Sequence, residues 1–333
     1  MADDLTLFAG GVTGAAGAIG VASIGLHLLR RPGRYLPGGH AVVSDAVRDP
    51  LPAVLRRGLA GMTVPVWPGP TGELFLGRGA ARPGHTLRRR VLAPLSARAG
   101  ANGGRLCRDQ RVPFRLVIEF AGAHRDPQAL LRAYRKLDQQ LHAHAAVLSC
   151  CDDGRLTPGA VTVAVSGIVD ARELLAAERT RYAFVDGSFD DVGSSMVPPT
   201  LAPMISEPWS RRFGWDGQEP IPAEERHLLH AMVRAAHADG RTVRITGLSQ
   251  GSRRARRAIW IELAAAGVDV IADADQRGLA RHLRRRSTAP AQTPTRTAPS
   301  PRLAPAGAAR FDAARGDERP NDHGSGDLDT TAG

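Results

Sequence analysis

Short apolar runs alternate with amphipathic stretches along most of the chain. Runs of strand length predict eight main strands, at 40–44, 62–67, 115–120, 161–165, 182–185, 204–206, 242–245 and 268–272, with a short extra strand at 73–76. Apolar residues at helical spacing predict helices at 50–59, 86–99, 127–148, 171–179, 223–238, 253–266 and 276–285. Strands and helices therefore follow one another in repeated β-α units.

The number and order of these units predict the fold class, an α/β protein. Eight β-α units over about 250 residues favour a (β/α)8 TIM barrel over a doubly wound sheet. Chemistry in such a barrel lies at the carboxyl ends of the strands. The residues expected there are Asp45, Trp67, Arg78, Glu119, Ser166, Asp186, Glu207, Thr246 and Asp273.

The two ends of the chain differ from the barrel, which we place at 35–286. Residues 5–29 contain no Asp, Glu, Lys or Arg and are long enough to span a bilayer, so 1–34 is predicted as a membrane anchor or leader. The alternative is a flexible N-terminus that anchors nothing. Residues 287–333, rich in Pro, Ala and Arg, are predicted as a disordered tail. We expect a membrane-associated or exported protein, with the side of the membrane left open.

The charge balance is strongly basic, with a net charge of +11, but its composition weakens the case for a nucleic-acid partner. Lys136 is the single lysine, and arginine in place of lysine is typical of a GC-rich genome. Aromatic residues make up 5% of the chain, which leaves few rings to stack on bases. Three cysteines without zinc-site spacing exclude a disulfide scaffold and a zinc finger.

Four segments within 39–283 carry a resemblance to a known family. They are RYAFVDG at 181–187, SEPW at 206–209 followed by FGW at 213–215, AAHADGRTVR at 235–244 and AGVDVI at 266–271. They resemble phospholipase C-like phosphodiesterases, which include glycerophosphodiester phosphodiesterases and phosphatidylinositol phospholipases C. The resemblance is strongest to the branch of bacterial proteins related to altered inheritance of mitochondria protein 6. It implies a TIM barrel and phosphoric diester hydrolysis in lipid metabolism.

The catalytic motifs of that family are degenerate here. The resemblance implies two catalytic histidines and a divalent cation such as Mg or Ca, but Val43 and Arg78 occupy the two histidine positions. The second strand, TVPVW at 63–67, lacks the family's two acidic ligands, and only Glu119 remains of three. Valine transfers no proton, and arginine stays protonated near neutral pH. His40 and His85 are the nearest other histidines, and we interpret both as structural or surface residues.

The sequence thus leaves three functions open. The first is a catalytically weak or inactive barrel that binds an anionic phosphoester or lipid head group, with no cofactor expected. The second is an active phosphoric diester hydrolase with rearranged site residues. The third is a non-catalytic scaffold that acts through its anchor and tail. Candidate ligand-binding residues are Asp45, Arg78, Glu119 and Arg244; Arg78 and Arg244 are the alternative partners for the Glu119 carboxylate. A membrane contact through 5–29 is expected, and no protein partner can be named.

Overall fold

The structure is a computed structural model, and it describes residues 33–44, 47, 49–69, 72–79, 82–120, 127–167, 171–248 and 251–288. Asp45, the N-terminal apolar run and residues 289–333 of the predicted tail therefore lie outside the described residues, whereas Ser287 and Thr288, predicted as the start of that tail, belong to the last helix. None of the described helices is long and apolar enough to cross a membrane.

Eight parallel strands form a closed ring within the described part of the chain. They are β1 (Gly39–Val42), β2 (Gly61–Pro68), β4 (Phe114–Phe120), β7 (Val161–Ser166), β9 (Ala183–Gly187), β10 (Met204–Pro208), β11 (Thr242–Thr246) and β12 (Val270–Asp273). Each pairs with its neighbour in chain order, and β1 pairs with both β2 and β12. This closure confirms the predicted (β/α)8 barrel.

Helices cover the outside of this ring. Their bounds are α1 (Pro50–Arg57), α2 (Ala93–Ala101), α3 (Pro127–His142), α4 (Ala171–Ala177), α5 (Trp209–Arg212), α6 (Ala223–Ala238), α7 (Arg253–Ala265) and α8 (Gln276–Thr288). A π-helical turn at Arg88–Leu92 leads into α2. The main apolar core lies where outward-facing strand residues meet these helices, and inside the ring a small apolar cluster lies below a polar network.

Among the described residues, four further strands lie outside the ring. The short strand β3 (Leu74–Leu76) forms a hairpin with β2. The strands β5 (Cys150–Asp152), β6 (Arg155–Thr157) and β8 (Thr180–Arg181) form a separate antiparallel sheet.

The region after α3 differs from its prediction. The predicted helix 127–148 is too long: α3 ends at His142, a 3₁₀ turn follows at Ala145–Val147, and the chain then enters the β5–β6 hairpin. Hydrophobic alternation did not indicate that hairpin because β6 is exposed along its whole length. Its turn, Asp153-Gly154, has positive φ at both residues, and an Asp-Gly pair is the available sequence signal.

Candidate functional site

A cleft opens at the carboxyl ends of β1 and β2. It encloses about 260 Å³, and the segment that follows β3 forms its outer wall. The charged or titratable side chains that line it are Arg78, Arg82 and His85. The cleft is therefore basic, and it lies at the end of the barrel where chemistry is expected.

The β2–β3 hairpin positions Arg78. Gly77, which follows β3, has a φ of 110°, a conformation that L side chains rarely adopt. Its N–H donates to the carbonyl of Pro65 at 2.9 Å, which fixes the loop to the end of β2. Arg78 thus leaves the hairpin directly above the barrel rim.

Glu119 holds the Arg78 guanidinium. Pro65 on β2 pairs in register with Glu119 on β4, so the carboxylate lies on the next strand of the ring. Nη2 of Arg78 lies 2.8 Å from Oε1 of Glu119, with the two side chains 55% and 31% exposed. Of the two alternatives from the sequence, the structure thus gives Arg78 as the partner of Glu119.

His85 enters the cleft through a pairing that the sequence did not reveal. The N–H of Leu76 donates to the carbonyl of His85 at 2.9 Å, and Phe75 forms an antiparallel bridge with Thr86. This short segment therefore runs beside β3 and brings His85 to the cleft wall. A two-residue bridge leaves no hydrophobic pattern from which to predict it.

The remaining positions implied by the resemblance hold no metal-ligand cluster. Val43 lines the cleft, and Thr63 and Pro65 stand on β2 where the resemblance implies acidic ligands. Among the described residues, no group of three or more His, Cys, Asp or Glu side chains could hold a metal ion. The donor set around Glu119 does not fit a divalent cation, which requires several oxygen ligands.

Arg244 lies inside the barrel, where its guanidinium is fully engaged. Nη2 donates to Asp186 at 2.9 Å, Nε donates to Ser206 at 2.8 Å, and Nη1 donates to Thr63 at 3.1 Å. Ser206 in turn donates to Asp186. The side chains of Arg244 and Asp186 are each 4% exposed. Because they are buried and mutually satisfied, these groups join four strands of the ring rather than facing the cleft.

His40 extends this network to β1. Its Nε2 makes a hydrogen bond of 2.8 Å with Thr63, and the residue is completely buried. Burial lowers the pKa of His40 well below its usual value, and the positive charges of Arg244 and Arg115 lower it further. His40 is therefore neutral near pH 7 and is a core residue, as the sequence indicated.

The other strand-end residues have structural partners or lie away from the cleft. Asp273 accepts hydrogen bonds from Trp260 Nε1 at 3.0 Å and from the N–H of Asp275 at 2.7 Å, and burial raises its pKa. Glu207 is fully buried and faces Nε of two arginines on α5, at 3.5 and 3.7 Å. Three further candidates do not line the cleft: Trp67, Ser166 and Thr246.

Comparison with known proteins adds likenesses of fold. No family model and no curated protein matches this chain. A glycerophosphoryl diester phosphodiesterase from Silicibacter pomeroyi is 12% identical, with a TM-score of 0.47 over 80% of this chain and 98% of its own. One from Parabacteroides distasonis is 12% identical, with a TM-score of 0.44 over 79% and 92%.

Proteins with other activities match at a similar level. The Cel5A structure from Thermotoga maritima with cellobiose is 10% identical, with a TM-score of 0.43 over 74% of this chain and 97% of its own. At these identities the likeness is one of fold and assigns no activity. The strand pairing itself carries the conclusion that the protein is a closed (β/α)8 barrel.

Proposed function

We propose that this protein is a phosphodiesterase-like barrel that binds a phosphoester in the cleft beside β1, β2 and β3, and that does not hydrolyse it by the metal-dependent route with two histidines. One observation carries the proposal: a half-exposed guanidinium, that of Arg78, is held by a carboxylate at the rim of a basic cleft. The resemblance to phospholipase C-like phosphodiesterases supports a phosphoester as the ligand class.

Arg78 supplies the recognition chemistry. A guanidinium is a permanent cation with five N–H donors in a planar fork, which suits the oxygens of a phosphate. Glu119 on one side limits the orientations of the Arg78 side chain, so less freedom is lost when a ligand binds. Arg82 on the same wall adds positive charge, and His85 adds a hydrogen-bonding ring.

The catalytic half of the proposal follows from what the cleft lacks. Val43 has no proton to transfer, and Arg78 cannot act as a base near neutral pH. The loss of one acid-base group typically costs ~10²–10⁴ in rate. Without a cation to neutralise the phosphate, several kcal/mol of charge stabilisation are lost as well.

Calorimetric titration of the full chain with glycerol 3-phosphate, glycerophosphocholine and inositol phosphate tests the binding. We expect binding that weakens with salt and falls at least about tenfold in Arg78→Ala, because a hydrogen bond to a charged group is lost. Arg105→Ala, an exposed arginine that does not line the cleft, is the matched control. Unchanged affinity in Arg78→Ala, or no binding by the parent, would refute the ligand-binding role.

Hydrolysis assays test the proposal that the protein does not hydrolyse the phosphoester by the metal-dependent route. We expect no release of product from glycerophosphocholine or lysophospholipid above background, with or without Mg²⁺ or Ca²⁺. Turnover that requires a divalent cation and disappears in Glu119→Ala would show that the metal site is intact after all.

A second candidate, metal-independent hydrolysis, is favoured by the presence of His85 in the same cleft as Arg78. An imidazole beside a guanidinium could supply one general acid-base group while the guanidinium holds the phosphate. Turnover that resists chelation and is lost in His85→Gln would support this candidate. Chelator-resistant turnover that His85→Gln retains would exclude His85 as the acid-base group, and the absence of any chelator-resistant turnover would exclude the candidate itself.

A further inference from the structure

Two adjacent helices on the outer wall of the barrel carry most of the net charge of the protein. Together α7 and α8 contain nine arginines and one glutamate, a formal charge of +8 against +11 for the whole chain. By contrast α6, the helix that directly precedes α7 in the chain, contains two glutamates and two arginines. The preference for arginine over lysine runs through the whole chain and accounts for the residue type, but it does not explain this concentration on one wall.

A groove runs between these two helices. It encloses about 440 Å³ and is lined by six arginines, Arg253, Arg256, Arg257, Arg281, Arg285 and Arg286. The one carboxylate among its lining residues, Asp275, lies 3.5 Å from Nη1 of Arg256. The groove is separate from the cleft at the barrel mouth, because it lies on the outside of the β11 and β12 sector.

Four arginines of this wall contribute to its charge. Arg253, Arg257, Arg281 and Arg286 are exposed, and within the described part of the chain none of these four has a carboxylate at ion-pair distance. Like charges held this close repel one another. An anionic surface would relieve that repulsion. Charge complementarity therefore favours a negatively charged partner.

The side chains between the arginines favour lipid over nucleic acid. Ile261, which lines the groove, is 45% exposed and offers an aliphatic contact. Trp260, the one large aromatic ring in the groove lining, is only 4% exposed, and its Nε1 is bonded to Asp273. Proteins commonly bind single-stranded nucleic acids by stacking the bases on exposed aromatic rings, and the buried ring of Trp260 cannot do this.

The start of the described chain lies against the same wall. Nη2 of Arg284 on α8 donates to the carbonyl of Arg57 at 2.6 Å, and a Cβ atom built on Gly33 would lie 3.2 Å from that same Nη2. The apolar run at 5–29 and the basic pair Arg30-Arg31 therefore precede, by a few residues, a point in contact with α8. A basic surface and an apolar segment in the same chain are the combination that holds proteins on anionic membranes.

From these observations we propose that the α7–α8 groove docks the protein on a membrane surface of anionic lipids. The arginines contact the lipid phosphates and carboxylates, and Ile261 contacts the interfacial region. The docking does not depend on the function proposed for the cleft, since the two sites share no residue.

Vesicle sedimentation with the full chain tests the proposal. The vesicles are phosphatidylcholine alone and phosphatidylcholine mixed with phosphatidylserine, at low and high salt. The test variant changes Arg253, Arg257, Arg281 and Arg286 to Gln, which removes four charges and keeps good helix formers. The control changes four other exposed arginines to Gln, Arg88, Arg105, Arg108 and Arg111, with the same loss of net charge.

We expect the parent to prefer vesicles that contain phosphatidylserine, with a preference that weakens as salt rises. The test variant should lose affinity for these vesicles by about 10²-fold or more, whereas the control should lose much less. Thermal melts of both variants should match the parent, so that lost binding cannot be ascribed to unfolding.

Three outcomes would overturn the proposal. Equal losses in the two variants would show that only net charge matters. Equal binding to both kinds of vesicle, unchanged in the test variant, would assign membrane binding to the apolar run alone. Tighter binding of a single-stranded oligonucleotide than of vesicles, lost in the test variant, would identify the groove as a nucleic-acid site.

Discussion

Two arginine–carboxylate pairs in this barrel have the same chemistry and nearly the same length, but opposite surroundings. Arg244 lies 2.9 Å from Asp186 inside the ring, with both side chains 4% exposed. Arg78 lies 2.8 Å from Glu119 at the rim, with the side chains 55% and 31% exposed. Burial, rather than distance, therefore decides what each pair does.

Inside the ring the charges have no access to water, so the protein must supply every partner. Arg244 donates to Asp186, Ser206 and Thr63, and these contacts join strands from different parts of the chain. At the rim, water already solvates the guanidinium, and Glu119 serves mainly to orient it. The interior pair belongs to the stability of the fold, and the rim pair is available to a ligand.

The largest expected effect is the removal of the interior cation. Arg244→Met leaves Asp186 buried without its counter-charge, which typically costs about 3–5 kcal/mol. Urea denaturation of the variant and the parent measures the loss. The control is Arg179→Met, which breaks an exposed pair with Asp153 (80% and 55% exposed) and should change the free energy of unfolding much less, because water solvates both groups.

A double variant separates the loss of the ion pair from the cost of leaving the Asp186 carboxylate buried without a partner. In Arg244→Met with Asp186→Leu, both charges are replaced by apolar groups, and much of the lost stability should return. A single variant that loses less than about 1 kcal/mol would contradict the distinction between the two pairs.

Close packing around the network gives the next largest effect. A Cβ atom on Gly61 would lie 2.4 Å from Nδ1 of His40 and 2.7 Å from the carbonyl oxygen of Arg115. Gly61→Ala should therefore destabilise the protein by about 1–3 kcal/mol, as overpacking does. Gly100→Ala on α2 is the matched control, because no atom lies within 4 Å of the added methyl group. Equal stability of the two variants would show that the interior adapts more freely than the contacts indicate.

The pH dependence of stability follows from the neutral state of His40. Its pKa is lowered in the folded protein, so between that value and about 6.5 the unfolded chain binds a proton that the folded protein does not. Stability is therefore fully present above about pH 6.5 and decreases as the pH falls. For a histidine that stays neutral when folded, the loss is on the order of 1 kcal/mol by pH 5.5.

Comparison of the parent with His40→Gln isolates this contribution. The variant should start from a lower free energy of unfolding at pH 7 but lose less of it between pH 7 and 5.5. Burial also lowers the pKa of His144 and His282, so a shallower pH dependence is expected to persist in the variant. Identical pH dependence in both proteins would show that His40 is protonated in the fold or that the network opens.

The fold could be predicted from sequence because the hydrophobic pattern of each β-α unit lies within its own short segment of the chain. Apolar runs such as 115–120 are recognised without knowledge of the rest of the chain, and so is Gly267, which follows α7 with a φ of 84°. The exception, the β5–β6 hairpin, has an exposed second strand and therefore carries little hydrophobic pattern.

The candidate site could be predicted only in part, because its contacts are set by strand register. The sequence left Arg78 and Arg244 as alternative partners for Glu119, because it does not show which side chains meet at the end of the ring. The structure distinguishes the two arginines by their positions. Arg244 lies deep inside the ring, whereas Arg78 stands on a loop fixed by Gly77. His85 reaches the cleft through a bridge too short to leave a pattern.

The smallest expected effect concerns the rim pair, and it is the sharpest test of the comparison. Because Arg78 and Glu119 are partly exposed, water solvates either group when its partner is removed. An exposed pair therefore contributes at most about 1 kcal/mol to the free energy of unfolding. A double-mutant cycle with Arg78→Ala and Glu119→Gln, followed by urea denaturation, should therefore give a coupling energy below about 1 kcal/mol. The same variants in the phosphoester titration should bind more weakly, because Arg78→Ala removes the cation and Glu119→Gln loosens its orientation. A coupling energy as large as that of a buried pair would mean that Glu119 and Arg78 hold the barrel together, and the ligand-binding role of Arg78 would then lose its physical basis.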